Sequence, residues 1–299
     1  MEVNNNILGT IGCTPLVKIN RLCTKKDVEI YAKIEGANPG GSIKDRVARK
    51  MLEQAEAEGE LVPGKTIIEP TSGNTGIAIA MIGAVKGYDV EIVMSEAVSI
   101  ERVRMLKAFG AKVIQTPADK GTDGAICKAR AMVKQDPEKY FMPDQFSNRY
   151  NKLAHYSTTA EEIIRDTVGR VTHFVSALGT SGTLMGTSKR LKELNPDIKI
   201  VEAHPEKGHY IQGLKNMEEA IIPEIYDPKK IDISIMIDSQ EAFDTARRII
   251  REEGIFCGMS SGAAMLASLK VAEMIDKGVI VCIFPDRGEK YLSTPLFSD

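Results

Sequence analysis

Lys44 stands in a stretch, Glu35-Gly36-Ala37-Asn38-Pro39-Gly40-Gly41-Ser42-Ile43-Lys44-Asp45-Arg46, whose residue types suit amine chemistry. Asn-Pro-Gly-Gly cannot continue a strand and makes a tight loop. Ser42 is placed to cap a helix running from Ile43 to about Glu58, which puts Lys44 in the first turn. There the positive end of the helix dipole and the neighbouring Arg46 both disfavour the protonated amine. A lysine whose cationic form is disfavoured can act as a nucleophile of the kind that forms Schiff bases. A solvated surface lysine is the competing reading of this segment taken alone.

Three further stretches combine glycine with hydroxyl side chains. Gly179-Thr180-Ser181-Gly182-Thr183 follows a predicted strand and opens a helix. Its glycines let backbone N–H groups converge, its hydroxyls add donors, and a helix N-terminus favours an anion, so the loop can cup a phosphate. No Gly-Lys-[Ser/Thr] ends it and no G-x-G-x-x-G runs through it, so it is neither a Walker loop nor a dinucleotide fingerprint. Thr71-Ser72-Gly73-Asn74-Thr75-Gly76 has the same context with a carboxamide inside. It can hold a carboxylate while Asn74 donates to a phenolic oxygen; a capped helix start is the plainer alternative. Gly258-Met259-Ser260-Ser261-Gly262 repeats the pattern. One ligand accounts for all of these stretches. It carries a phosphate for the Gly179 loop, an aldehyde for Lys44, a ring oxygen for Asn74 and a ring nitrogen for a serine hydroxyl. That ligand is pyridoxal phosphate.

The elements that must present these residues alternate strand with helix. Strands are predicted over 28–34, 65–69, 90–94 and 112–115, with helices over 43–58, 77–86, 99–109 and 121–135. After Gln145-Phe146-Ser147-Asn148 a helix is predicted over 155–167. Strands over 172–177 and 199–203, a long loop over 205–230, a helix over 240–253 and a last strand over 279–284 follow. The class is α/β, with two open, mostly parallel sheets flanked by helices. In such sheets ligands bind beyond the carboxyl ends of the strands, where the lysine loop and the 71–76 loop both fall.

Composition narrows the partners. The 299 residues are 43% hydrophobic and 27% charged, ordinary for a globular enzyme. A net charge of −2 argues against nucleic acid and against a polybasic membrane surface, and no apolar run is long enough to span a bilayer. The N-terminus has neither the basic nor the apolar region of a secretory signal. Cys13, Cys23, Cys127, Cys257 and Cys282 are scattered and form no C-x-x-C, so no metal site or disulfide framework is expected and a reducing cytoplasm fits.

From Gly12-Cys13-Thr14-Pro15-Leu16 to Pro285-Asp286-Arg287-Gly288-Glu289-Lys290-Tyr291-Leu292-Ser293-Thr294, the chain resembles the cysteine synthase (O-acetylserine sulfhydrylase) family. These are fold-type II, tryptophan synthase β-like pyridoxal-phosphate enzymes, and cystathionine β-synthase is among them. The resemblance implies that Lys44 carries the Schiff base and that Asn74 contacts the ring oxygen. It implies that Gly179, Thr180, Ser181, Gly182 and Thr183 bind the phosphate, and that Ser260 meets the pyridine nitrogen. Thr71, Ser72, Asn74, Thr75 and Gln145 would hold the substrate carboxylate. It further implies a smaller mobile domain over 38–144, a larger domain made of 1–37 plus 145–299, and a homodimer.

The implied activity is β-replacement on cysteine or an O-activated serine through an aminoacrylate, as in making cysteine from O-acetylserine and sulfide. A serine at the ring nitrogen suits this, because a neutral hydroxyl makes the ring a weaker electron sink and favours elimination over long-lived carbanions. Two alternatives stand beside it: a cysteine lyase that uses water to release hydrogen sulfide and form serine, and a non-catalytic amino-acid-binding relative. The chain departs from the family pattern in two places. Arg149 replaces the proline of Gln-Phe-x-Asn-Pro, and Asp232-Ile233 replaces an Asp-Glu pair. Beside an apolar neighbour, Asp232 is the candidate base for activating water, against the plainer reading of an exposed aspartate at a strand's start. Lys215, in the long loop, is read as a surface residue.

Overall fold

The structure, a computed structural model, describes residues 3–71, 73–219 and 222–298. Strand β1 (Leu16–Ile19) runs antiparallel to β2 (Val28–Ile34), which leads into the lysine loop and helix α1 (Lys44–Ala57). Then come β3 (Thr66–Pro70), α2 (Asn74–Lys86), β4 (Val90–Ser95), α3 (Ile100–Ala108), β5 (Lys112–Thr116), α4 (Gly121–Gln135) and the short β6 (Tyr140–Phe141). Helices α5 (Arg149–Ala154) and α6 (Ala160–Asp166) are joined by a π turn, His155–Thr159. The rest runs β7 (His173–Ala177), α7 (Gly182–Leu194), β8 (Lys199–Pro205), β9 (Ile233–Ile237), α8 (Ser239–Arg248), α9 (Met259–Met274) and β10 (Gly278–Phe284).

Two sheets result. One has six strands in the order β1-β2-β10-β7-β8-β9; the other has four, β5-β4-β3-β6, drawn wholly from residues 66–141. Every pairing except β1 with β2 is parallel. Parallel sheets bury both faces, and β4 is buried at every position while β10 is buried at all but its first. Two helices are apolar nearly all round and pack centrally, as such helices must. These are α2, buried from Thr75 to Gly83, and α9, buried over most of its length. Helix α8 is one-sided: Ala242, Phe243 and Ala246 face the core and its charged residues face out.

The predicted strands appear with their ends shifted by at most two residues. Strands β1 and β6 are unpredicted, and β9 is foreseen only as a strand starting at Asp232, without bounds. Only Ile19 is buried in β1, and β6 has two residues, so neither carries a readable alternation. The helix expected to begin at 155 begins at Arg149, because the Asn148 side chain accepts the Tyr150 N–H and caps it there. No helix among the described residues is long and apolar enough to cross a membrane.

Candidate active site

The loops that leave β2, β3, β7 and β10 gather at the carboxyl ends of the two sheets. Between them lies one cleft, lined among others by Lys44, Thr71, Asn74, Thr75, Gln145, Gly179, Thr180, Thr183 and Ser260. Stretches more than two hundred residues apart in sequence thus share one cavity. Ser181 and Gly182 belong to the same loop as Thr180 and Thr183; Ser72 lies outside the described residues.

Lys44 is the first residue of α1. Ile43 before it is already helical and offers no side-chain cap, and the Ser42 hydroxyl accepts the Lys44 N–H at 3.2 Å instead. The Lys44 amine has no hydrogen-bond or ion-pair partner among the described residues. Burial lowers its pKa from 10.5 to about 8, with the Asp286 carboxylate pulling the other way. The side chain is only half-buried by area because it opens on the cleft, but protein crowds the cleft walls and desolvation wins. The expected contribution of Arg46 is corrected here. Its guanidinium is engaged by Glu35 at 2.7 Å and by Glu162 at 2.6 Å, in a buried cluster of its own.

Asn74 opens α2, after Gly73 at φ +136. A side chain on Gly73 would suffer twice, from that backbone angle and from Arg102 Cδ lying 2.5 Å from its Cβ. The Asn74 amide is held at both ends: Nδ2 donates to Asp286 Oδ2 at 2.6 Å, and Oδ1 accepts from Lys290 Nζ at 3.1 Å. Lys290 also donates to the carbonyls of Gly40 and Gly41, at 3.1 and 2.9 Å. Tyr291 donates to Asp286 at 2.7 Å and accepts from Arg102 at 2.6 Å. On the other wall, Thr75 Oγ1 donates to Gln145 Oε1 at 2.6 Å.

The Gly179 loop is an anion cradle by construction. Ser181 adopts a left-handed φ of +67 and α7 starts at the next residue. The Ser181 hydroxyl is buried without a hydrogen-bond partner among the described residues. Thr180 accepts from Asn151 Nδ2 at 3.1 Å, and Thr183 lies 3.2 Å from His155 Nε2, whose other ring nitrogen meets Thr159 at 3.0 Å. Burial, joined by the charges of Lys44 and Arg46, holds the His155 pKa well below its ordinary value, so the ring is neutral. The π turn beginning at His155 sets the ring under the loop, a use often made of such turns. Ser260 sits in the first turn of α9, nearly buried at the cleft wall. An unpartnered buried hydroxyl at a helix N-terminus, a depressed lysine and a carboxamide fixed at both ends fit a phosphate, an aldehyde and a ring oxygen. The donor set therefore fits pyridoxal phosphate.

Two expectations are corrected. Asp232 lies at the amino end of β9, on the edge of the sheet opposite the cleft. Its carboxylate accepts the Ile200 N–H at 2.7 Å and pairs with Lys192 at 2.9 Å. Burial would raise its pKa, but that N–H and Lys192 outweigh it and the net shift is downward, away from a base's range. Lys215 is not on the surface but in the cleft wall, its side chain 10% exposed. It pairs with Asp123 at 3.2 Å and lies over the Phe146 ring at 4.8 Å. Arg149 stays on the surface beside Tyr150 and Glu58. Lys290, Asp286, Tyr291, Asn151 and His155 are absent from the residues expected to form the site. The first three belong to the segment after the last strand, and that position at a carboxyl end is the signal that could have found them.

The family model described as pyridoxal-phosphate dependent enzyme matches residues 7–286. A cysteine synthase of Aquifex aeolicus is 46% identical over 306 residues, covering 100% of this chain and 94% of that protein. The solved cysteine synthase of Entamoeba histolytica superposes with a TM-score of 0.93 at 45% identity, covering 100% of this chain and 92% of that one. A hydrogen sulfide-producing enzyme of Fusobacterium nucleatum superposes with a TM-score of 0.92 at 44% identity, covering 97% and 100%. Fold and site together are those of a pyridoxal-phosphate-dependent enzyme of fold-type II. Within that class, the chain belongs to the cysteine synthase family.

Proposed function

We propose that the protein makes cysteine by β-replacement, exchanging the acetoxy group of O-acetylserine for sulfide. The observation that carries this is the convergence of the Lys44 amine, the 71–76 loop with Gln145, and the Gly179 loop on one cleft. Pyridoxal phosphate, when bound, supplies the electron sink that loosens the α-proton and lets the β-substituent leave. The chain's own residues do the rest. Backbone N–H groups at the start of α7, with Thr180, Ser181 and Thr183, hold the phosphate. Asn74 donates to the ring oxygen, and Ser260 meets the ring nitrogen without fixing a charge on it. Thr71, Ser72, Asn74, Thr75 and Gln145 receive the amino-acid carboxylate. Lys44 is the attachment point and then the base that takes the α-proton at Nζ; a pKa near 8 leaves it a usable neutral fraction.

Residues 38–144 act as a smaller domain that closes on the larger one, made of 1–37 and 145–299. The four-stranded sheet, confined to residues 66–141, supports that division. Closure would expel water from the cleft and shield the reacting carbon. Structures with and without bound amino acid test it, and an unmoved 71–76 loop would refute it. A homodimer is expected and light scattering tests it. A reducing compartment suits the five unpaired cysteines.

A second reading, release of hydrogen sulfide from cysteine with water as acceptor, is favoured by the likeness to the fusobacterial enzyme. Water is a poor nucleophile and needs a base near the β-carbon. Asp232, tied to Ile200 and Lys192, offers none, which keeps cysteine synthesis first. Cysteine formation from O-acetylserine and sulfide is measured beside sulfide, serine and pyruvate formation from cysteine alone. Faster serine and sulfide release than cysteine formation would reverse the order of the two readings.

A further inference from the structure

Glu69 is wholly buried on β3, two residues before the 71–76 loop, and is not among the cleft-lining residues. No cation pairs with it among the described residues. Its two oxygens accept two consecutive backbone N–H groups: Asp144 on Oε2 and Gln145 on Oε1, each at 3.0 Å. Burial pushes the carboxyl up to about 8 against the pull of those donors. A buried acid in such a place is costly unless it holds something. What it holds is the turn between β6 and α5, where Asp144 has a left-handed φ of +48, unfavourable for a residue with a side chain.

That turn delivers Gln145 to the cleft, where its Oε1 takes the Thr75 hydroxyl from a segment 70 residues away in the chain. Glu69 is joined covalently to the Thr71 end of this pair and by hydrogen bonds to the Gln145 end. We infer that Glu69 is a positioning residue that registers Gln145 against the Thr71–Thr75 segment, so that one amino-acid carboxylate meets both. The inference rests on the reading of Gln145 and Thr75 as carboxylate contacts.

The test is a double-mutant cycle in the holoenzyme with Glu69→Gln, Gln145→Ala and the pair together. KM and kcat are read for O-acetylserine, and pyridoxal phosphate affinity by absorbance titration. Glutamine keeps the shape but replaces one acceptor oxygen with an NH2 group, so one backbone N–H loses its partner whether the acid is charged or neutral. Each single variant should raise KM by about tenfold, the effect of one such hydrogen bond, and leave kcat and cofactor affinity nearly unchanged. The pair should be no worse than Gln145→Ala alone, because Glu69 acts through Gln145. Additive effects, or a loss of cofactor affinity in Glu69→Gln equal to its loss in KM, would overturn the assignment. A normal KM in Glu69→Gln beside a raised one in Gln145→Ala overturns the positioning role alone. A normal KM in Gln145→Ala overturns the carboxylate reading and the role with it. Should Glu69→Gln fail to fold, Glu69→Asp, with both oxygens on a shorter stem, enters the same cycle under the same criteria.

Discussion

Two lysine-bearing segments meet behind the cleft, the start of α1 and the turn at 288–291, and their lysines share one shift with opposite consequences. Burial lowers Lys44 and Lys290 alike to about 8. Lys290, itself buried, spends its ammonium on Gly40 O, Gly41 O and Asn74 Oδ1. Lys44 has no such partner among the described residues. A depressed pKa therefore does not make a nucleophile. The amine must also be unengaged and face a cavity, and only the α1 lysine meets both conditions. The engaged lysine instead stitches the loop that carries the other one to Asn74, fixing the distance between two parts of the site.

The largest expected effect separates the two lysines outright. Lys44→Ala should lower turnover by about 10⁴-fold, the upper range for a lost general base, with the fold intact by circular dichroism. A residual rate within tenfold of wild type would break the contrast. Lys290→Met should act on stability first. It leaves buried acceptors unpaired in the Gly40–Gly41 loop and on Asn74, which costs roughly 2–4 kcal/mol in urea unfolding. Pyridoxal phosphate should still be captured. A stable Lys290→Met that cannot capture it would make the second lysine chemical after all.

The third prediction concerns pH. Capture of pyridoxal phosphate by cofactor-free protein needs the neutral Lys44 amine, so its rate should rise with pH and level off above about 8. The Asp286 carboxylate stabilises the ammonium, so Asp286→Asn should move the midpoint of that profile downward. An upward move would contradict the sign. The smallest effect is a control far from both segments. Asp232→Asn should change turnover by less than about twofold and cost about 1 kcal/mol of stability, as expected for a partly exposed pair and one N–H bond at the sheet's other edge.

The parts of the site that a single segment can encode were legible in the chain. Ser42-Ile43-Lys44 and the three glycine-hydroxyl stretches carry their chemistry locally, since a helix start with converging N–H groups is made by neighbours in sequence. What such a segment cannot show is which way a side chain turns. Arg46, two residues from Lys44, points to Glu35 and Glu162. Lys215, in a stretch without periodicity, folds back into the cleft wall. Asp232 has its apolar neighbour but stands at the wrong end of its strand.

By itself, then, the sequence determined most of the strand and helix order, the mostly parallel sheets, the cofactor's chemical outline and most of the cleft residues that could meet it. Alternation, helix starts and glycine loops are short-range properties, and a parallel sheet sends every such loop to one edge. Tertiary structure alone decided three matters: the depression of Lys44 by burial rather than by Arg46, the clamping of Asn74 by Asp286 and Lys290, and the placing of Gln145 by Glu69. Desolvation and hydrogen-bond partnership across the chain depend on what packs around a group, and no local pattern carries that.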